Sequence, residues 1–304
     1  MISKPAGARL DDDTSGMAVA GSQSEWRLFI RRFGKNRAAL IGLGLLVIMV
    51  IIAVFAPLIS PEDPYATDLL QTLQGPSREH RLGTDQLGHD YLSVLIYASR
   101  VSILVGLLST LLGLVGGVLF GLISGYIGGL VDTVISRILD IVWAFPGLLL
   151  AMALMAVLGK GMTNVILVLG VVSIPRFARF VRGSVLALKE REFVLAAIAA
   201  GARPSKIMIS HILPNIAGPL VVFSTLGVGG AILQEASLSF LGVGIQPPMT
   251  SFGIMLSAAR TYLFSHQYLS LAPGVGITML VLAFNLVGDG LRDVLDPKMR
   301  RMGA

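Results

Sequence analysis

The sequence predicts an all-α membrane protein with six transmembrane helices, from its composition, its uncharged stretches and the placement of its basic residues. Of 304 residues, 54% are hydrophobic and 14% charged, against about 25% charged in an ordinary soluble domain. Residues 38–60, 101–131, 141–159, 207–234 and 261–288 contain no Asp, Glu, Lys or Arg. Each can cross a hydrocarbon core of about 30 Å, which takes roughly 20 helical residues. A sixth stretch, 161–175, is shorter and needs the apolar stems of Arg176 and Arg179, whose charged heads would snorkel to the interface.

The formal charge of +6 raises the question of a nucleic-acid partner. With the amino terminus placed in the cytoplasm, 19 of the 24 basic residues fall inside, leaving Arg78, Arg81, Arg100, Lys160 and Arg260 outside. That is the positive-inside bias of a multi-pass membrane protein with both termini cytoplasmic. No basic run is interleaved with aromatic residues in the manner of a nucleic-acid groove. The first apolar stretch follows 37 residues that include Asp11, Asp12 and Asp13, and it is longer than a signal-peptide core, so it reads as a retained span. There are no cysteines, and His80, His89, His211 and His266 lack ligand spacing, so neither a metal nor another cofactor is expected.

The organisation follows from these spans. Residues 1–24 are polar and without an apolar period, and read as a disordered cytoplasmic tail. In 25–60, Trp26, Phe29, Ile30 and Phe33 alternate with Arg27, Arg31 and Arg32, as in an interfacial helix or a plain basic flank, before the first span. Residues 61–91, with Pro61, Pro64, Gly75 and Pro76, form an external loop segment. Residues 92–304 form a five-span core, so the first span is an added element.

Gly113, Gly117, Gly121, Gly125 and Gly129 recur every four residues, which puts them on one helix face. Small residues at that spacing let a second helix approach closely, within the chain or in a partner subunit. Pro146, Pro175, Pro214, Pro219 and Pro273 lie in or at the ends of spans and can kink them, either to shape a path or to fit the bundle.

No catalytic constellation is present: there is no phosphate-binding G-x-x-x-x-G-K-[ST] loop, no G-x-S-x-G elbow and no H-E-x-x-H helix. Glu235 and Asp289 are the nearest approach to intramembrane acids, and both read as hydrated carboxylates at span ends. The segment 190–215 is more informative. Glu192 to Ala200 is rich in helix formers, Gly201 stands where a C-capping glycine belongs, and Pro204 suits the first turn of a new helix. This helix, glycine turn and helix, with little side-chain bulk, suits a groove on a partner or packing on its own bundle.

Ala196, Ala197, Gly201, Leu213 and Pro214 resemble the EAA loop of importer permeases of the ATP-binding-cassette class, roughly E-A-A-x3-G-x9-I-x-L-P. Leu195 stands at the Glu position and His211 at the Ile position. The segment Arg81-Leu82-Gly83-Thr84-Asp85-Gln86-Leu87-Gly88-His89-Asp90 is similar to the L-G-T-D-x-L-G-R-D of dipeptide, oligopeptide and nickel permeases, with His89 in place of the usual Arg. Trp143-Ala144-Phe145-Pro146, the run from Glu235 to Gly242, Phe252-Gly253 (often Trp-Gly in the family) and the run from Leu282 to Asp293 continue the similarity.

The resemblance implies a type I importer permease fold. It also implies a second homologous permease subunit, two cytoplasmic ATPases, an extracytoplasmic solute-binding protein and a place in the inner membrane. ATP hydrolysis would belong to the partners. The contrasting reading is a secondary carrier or channel working alone, which the scarcity of intramembrane acids and the lack of visible duplication between halves oppose. A membrane-embedded enzyme has no nucleophile or metal constellation behind it.

Overall fold

The computed structural model describes residues 33–295. The polar tail, the aromatic and basic residues from Trp26 to Arg32, and Lys298, Arg300 and Arg301 lie outside them.

The first helix, α1 (Arg37–Val54), is capped by Asn36, whose side-chain oxygen accepts from the Ala39 amide at 3.1 Å. The same side chain donates to Asp293 at 2.8 Å, tying the start of the first span to the end of the last. A short helical turn (Ala56–Ile59) leads into an irregular segment of loops and one 3₁₀ turn (Leu69–Gln71). Then come α2 (Tyr91–Ile127), α3 (Gly129–Trp143), α4 (Gly147–Leu158), α5 (Met162–Lys189), α6 (Glu192–Ala199), α7 (Leu213–Phe240), α8 (Phe252–Ala259) and α9 (Tyr268–Leu295). The entry to α7 is itself helical, a turn at Pro204–Lys206 and a π-turn at Ile207–Ile212, so the rod runs unbroken from Pro204 to Phe240.

Five of these rods are long and apolar enough to cross a membrane. A sixth crossing exists only if α3 and α4 are counted together, and they meet at 88°. The span expected over 141–159 is thus a bent one, broken at residues 144–146. Phe145 precedes a proline, a position where helical geometry is disfavoured. Pro146 adopts φ −56°, ψ 124°, outside the helix, and begins α4 as its N-cap. Alone, α4 has 12 residues, about 18 Å of helix.

The short stretch 161–175 does extend through the arginines that follow it. It belongs to α5, whose 28 residues carry Pro175 inside the helix and continue past Arg176, Arg179 and Arg182. Arg179 and Arg182 do not snorkel unaided. Arg179 donates to Asp140 at 2.8 Å, and Arg182 grips both oxygens of Asp132 at 2.6 and 2.7 Å, the two acids lying on α3.

The packing of α2 on α5 sets the bundle. A Cβ built on Gly113, Gly117, Gly121 or Gly125 would fall less than 3.0 Å from Ser173, Phe177, Val181 or Val185 in turn. Two rows, each with a period of four, thus run along one another, and the backbone of α2 touches the side chains of α5 directly. Gly129 does not share this face. The helix ends at Gly128, where φ is +72°; Gly129 starts α3 with φ +55°, and a Cβ there would meet nothing within 4 Å. The added first span is packed on the core as well: a Cβ on Gly42 of α1 would lie 3.2 Å from the Ala283 carbonyl of α9.

Gly121→Leu should separate α2 from α5 at a cost of about 2 kcal/mol or more, since overpacking a tight contact forces the backbone to shift. Its unfolding midpoint in detergent should fall by several degrees, whereas Gly44→Leu, at an open position of α1, should leave it unchanged. Equal midpoints for the two variants would contradict the contact.

Candidate functional site

Two ends of the bundle carry organised loops. At one end, residues 60–90 form a cap built on buried polar contacts. Asp90 accepts from the amide and the hydroxyl of Ser93 at 2.9 and 2.7 Å, capping α2, and also meets His80 Nδ1 at 3.1 Å. The other nitrogen of His80 reaches Gln71 at 2.8 Å. Asp85 accepts from the Leu87 and His89 amides at 2.8 and 3.0 Å and pairs with the His89 ring at 2.9 Å. His89 therefore holds the turn that its own segment makes. Tyr268 of α9 closes the cap by donating to the carbonyls of Gln74 (2.8 Å) and Thr84 (3.2 Å).

The opposite end carries the element singled out by sequence. The Ala202 amide donates to the Ala197 carbonyl at 3.0 Å and the Gly201 amide to the Ile198 carbonyl at 2.9 Å, with Gly201 at φ +77°. This is the paired-bond terminus that ends a helix on a left-handed residue, and glycine adopts it without the clash of a Cβ. The turn ends α6, and Pro204 starts the rod that becomes α7.

One side of α6 anchors and the rest is open. Val194 is fully buried with Ile207 and Ile212, in a cluster that includes Phe177, Val181 and Val185 of α5. Ala197 and Ala202 are half-buried against it. Leu195 is 52% exposed, Ile198 45% and Phe193 40%, and Ala196 and Gly201 are also exposed. A shallow concavity of about 530 Å³ runs beside them, lined by Ala197, Ala200 to Arg203, Lys206 and His211. Leu213 and Pro214 are not in the loop; they form the first turn of α7, with Leu213 half-buried and Pro214 exposed. α6 thus shows large apolar and small side chains in the open, beside Arg203, Lys206 and His211.

Val194, Ile207 and Ile212, which anchor α6, are not among the residues that the sequence singles out. Their signal is faint, because a π-turn shifts the periodicity that would have put Ile207 and Ile212 on a recognisable face. Nor is Glu235 the hydrated carboxylate that its place near a span end suggests. In the structure Glu235 has 0% exposure and accepts hydrogen bonds from Ser239 (2.8 Å) and Ser102 (3.3 Å). The segment after α7 folds back over it, with the Ile245 amide on the Ser239 hydroxyl and the Phe252 amide on that of Ser102. Asp289, in contrast, is exposed on α9.

Comparison with known proteins interprets this architecture. A family model described as the inner membrane component of binding-protein-dependent transport systems matches residues 117–301. The chain belongs to that family. A second model, the N-terminal transmembrane domain of oligopeptide transport permease C, matches residues 24–76 and so takes in α1 and the start of the cap. The chain is 44% identical over 277 residues to the dipeptide transport system permease protein DppC of Alkalihalophilus pseudofirmus, covering 91% of each chain. It is 44% identical over 281 residues to the glutathione transport system permease protein GsiD of Salmonella typhimurium, covering 91% of this chain and 92% of that one. The Escherichia coli GsiD is 41% identical over the same length, with the same coverage. The chain is a multi-pass permease of the ABC-importer type, and membership of this family sets the stand-alone carrier or channel aside.

Gly201→Val should strain the turn by about 1 kcal/mol or more, because a β-branched residue resists positive φ. Amide exchange should quicken at Gly201 and Ala202 while the spanning helices stay protected. Unaltered exchange in the turn would show that the glycine is dispensable.

Proposed function

We propose that this permease forms half of the pathway of a peptide importer and that α6 is the surface through which a cytoplasmic ATPase drives it. The observation that carries the reading is the exposed apolar face of α6, fixed to α5 and α7 through Val194, Ile207 and Ile212. A push on Leu195, Ala196 or Ala197 would travel through buried side chains into two spanning rods rather than dissipate in a loop. Leu195 in the place of an acid makes that contact apolar. Leu213 and Pro214 lie where the docking element becomes the rod, and Gly201 sets the angle between them.

The relatives named for dipeptide and glutathione transport support small peptides as the solute class. A second permease would complete the pathway, an extracytoplasmic binding protein would deliver the solute to the cap end, and a second ATPase would serve the partner permease. The open apolar faces of α1 to α4, including Ile41, Val115, Ile138 and Leu149, suit lipid or that partner. In this arrangement the end bearing α6 is cytoplasmic and the cap is external, with both termini inside.

Reporter fusions should therefore score external after Tyr65 and cytoplasmic after Arg203; the reverse pair would invert the topology. The coupling is tested by Ala197→Cys in this cysteine-free chain, paired with cysteines on the ATPase. Cross-links that respond to nucleotide are expected. Failure of Ala197→Cys to cross-link at any ATPase position, together with full peptide uptake by Gly201→Val, would remove α6 from the coupling route.

A further inference from the structure

On α5, Arg176, Arg179 and Arg182 recur every three residues, and the last two have acid partners on α3. Arg176 has none among the described residues. Its guanidinium lies 4.6 Å from the centre of the Phe223 ring and is half-buried. It sits 14 residues into the 28-residue α5, about 21 Å from its start, where the two arginines that follow are both neutralised and it is not.

Beside it is a cavity of about 230 Å³, enclosed by α2, α5, α7 and the break between α3 and α4. Ser109 and Thr110 of α2 line it, at 1% and 5% exposure, and both hydroxyl oxygens lack a hydrogen-bond partner. Hydroxyls in helices usually satisfy themselves on a carbonyl one turn back, as Ser173 does on Gly170 at 2.7 Å on another wall of this cavity. Two orphaned donors beside an uncompensated guanidinium mark a place where an oxyanion is missing. Trp143 and the exposed Gln234 complete the lining.

We propose that this cavity is a subsite for the carboxylate of a peptide in passage, with Arg176 supplying the charge and Ser109 and Thr110 the hydrogen bonds. The inference rests on the permease reading above. A phosphate headgroup offers similar oxyanion chemistry, and the test below distinguishes the two sources. The relatives named for dipeptide and glutathione transport favour a carboxylate carried by the solute. The subsite would hold it weakly and briefly, since a path must release what it binds.

The test uses the assembled importer in nanodiscs, with Gln234→Cys as the sole cysteine of this chain and N-ethylmaleimide as the probe of that thiol. Alanylalanine should slow its modification several-fold, and the C-terminal amide of alanylalanine should not. The protection should vanish with Arg176→Gln and weaken with Thr110→Val or Ser109→Ala. The latter two remove a hydroxyl without altering charge and serve if Arg176→Gln does not assemble. Equal effects of acid and amide, protection that survives the Arg176 and hydroxyl substitutions, or a thiol that never reacts because the cavity faces lipid would each overturn the proposal. So would protection by anionic lipid alone when phosphatidylcholine discs are compared with discs containing phosphatidylglycerol, since the occupant is then a headgroup. Peptide uptake measured in parallel separates this from the permease reading: an importer that carries no peptide contradicts the latter, whatever the thiol reports.

Discussion

Everything in this protein hangs on the close approach of α2 and α5. Lipid is as apolar as leucine, so no hydrophobic force drives two helices together once both are in the bilayer, and contact area and geometry must do it. Four glycines on α2 remove the side chains from one face, and the row Ser173, Phe177, Val181 and Val185 fills the space. With α5 so fixed, its other faces become reliable platforms. One holds Arg179 and Arg182 against the acids of α3, keeping the bent pair in place. Another meets Val194 and Ile207 and so positions the docking helix.

The two ends of the molecule are stabilised by different chemistry, in keeping with what each must do. The cap is held by a mesh of carboxylate, imidazole and carbonyl hydrogen bonds, several of them buried, which resists rearrangement. The docking element is held by a few apolar anchors and one glycine turn. Such contacts are tolerant of small rotations, because van der Waals packing is less directional than hydrogen bonding. Under the proposed function, the end held by the polar mesh would receive the solute and the end bearing α6 the mechanical input.

Much of this was legible in the sequence, for reasons that differ from element to element. The spans showed because the solvent is lipid and charge is excluded from it, but the rule that finds them also misplaced their ends. It carried the fourth span over the stems of Arg176 and Arg179 but could not show what neutralises the arginines, since the acids that pair with Arg179 and Arg182 lie on another helix, 39 and 50 residues away. It joined α3 to α4, since the bend at Phe145 and Pro146 costs no apolar residue. The glycine ladder was read one rung too long because spacing does not reveal where φ turns positive. The docking turn was clear because glycine and proline punctuate the backbone directly. Glu235 was misjudged because closeness to a helix end in sequence says nothing about the segment that later folds over it.

The bonds from Tyr268 to the carbonyls of Gln74 and Thr84 join residues 194 and 184 positions apart. During synthesis the cap residues leave the ribosome long before Tyr268 exists, so the cap must wait, partly formed, through the insertion of every intervening span. Its closure is then a signal of completion. A truncated or mis-threaded chain leaves the carbonyls of Gln74 and Thr84 without these bonds, and a correctly finished one supplies them.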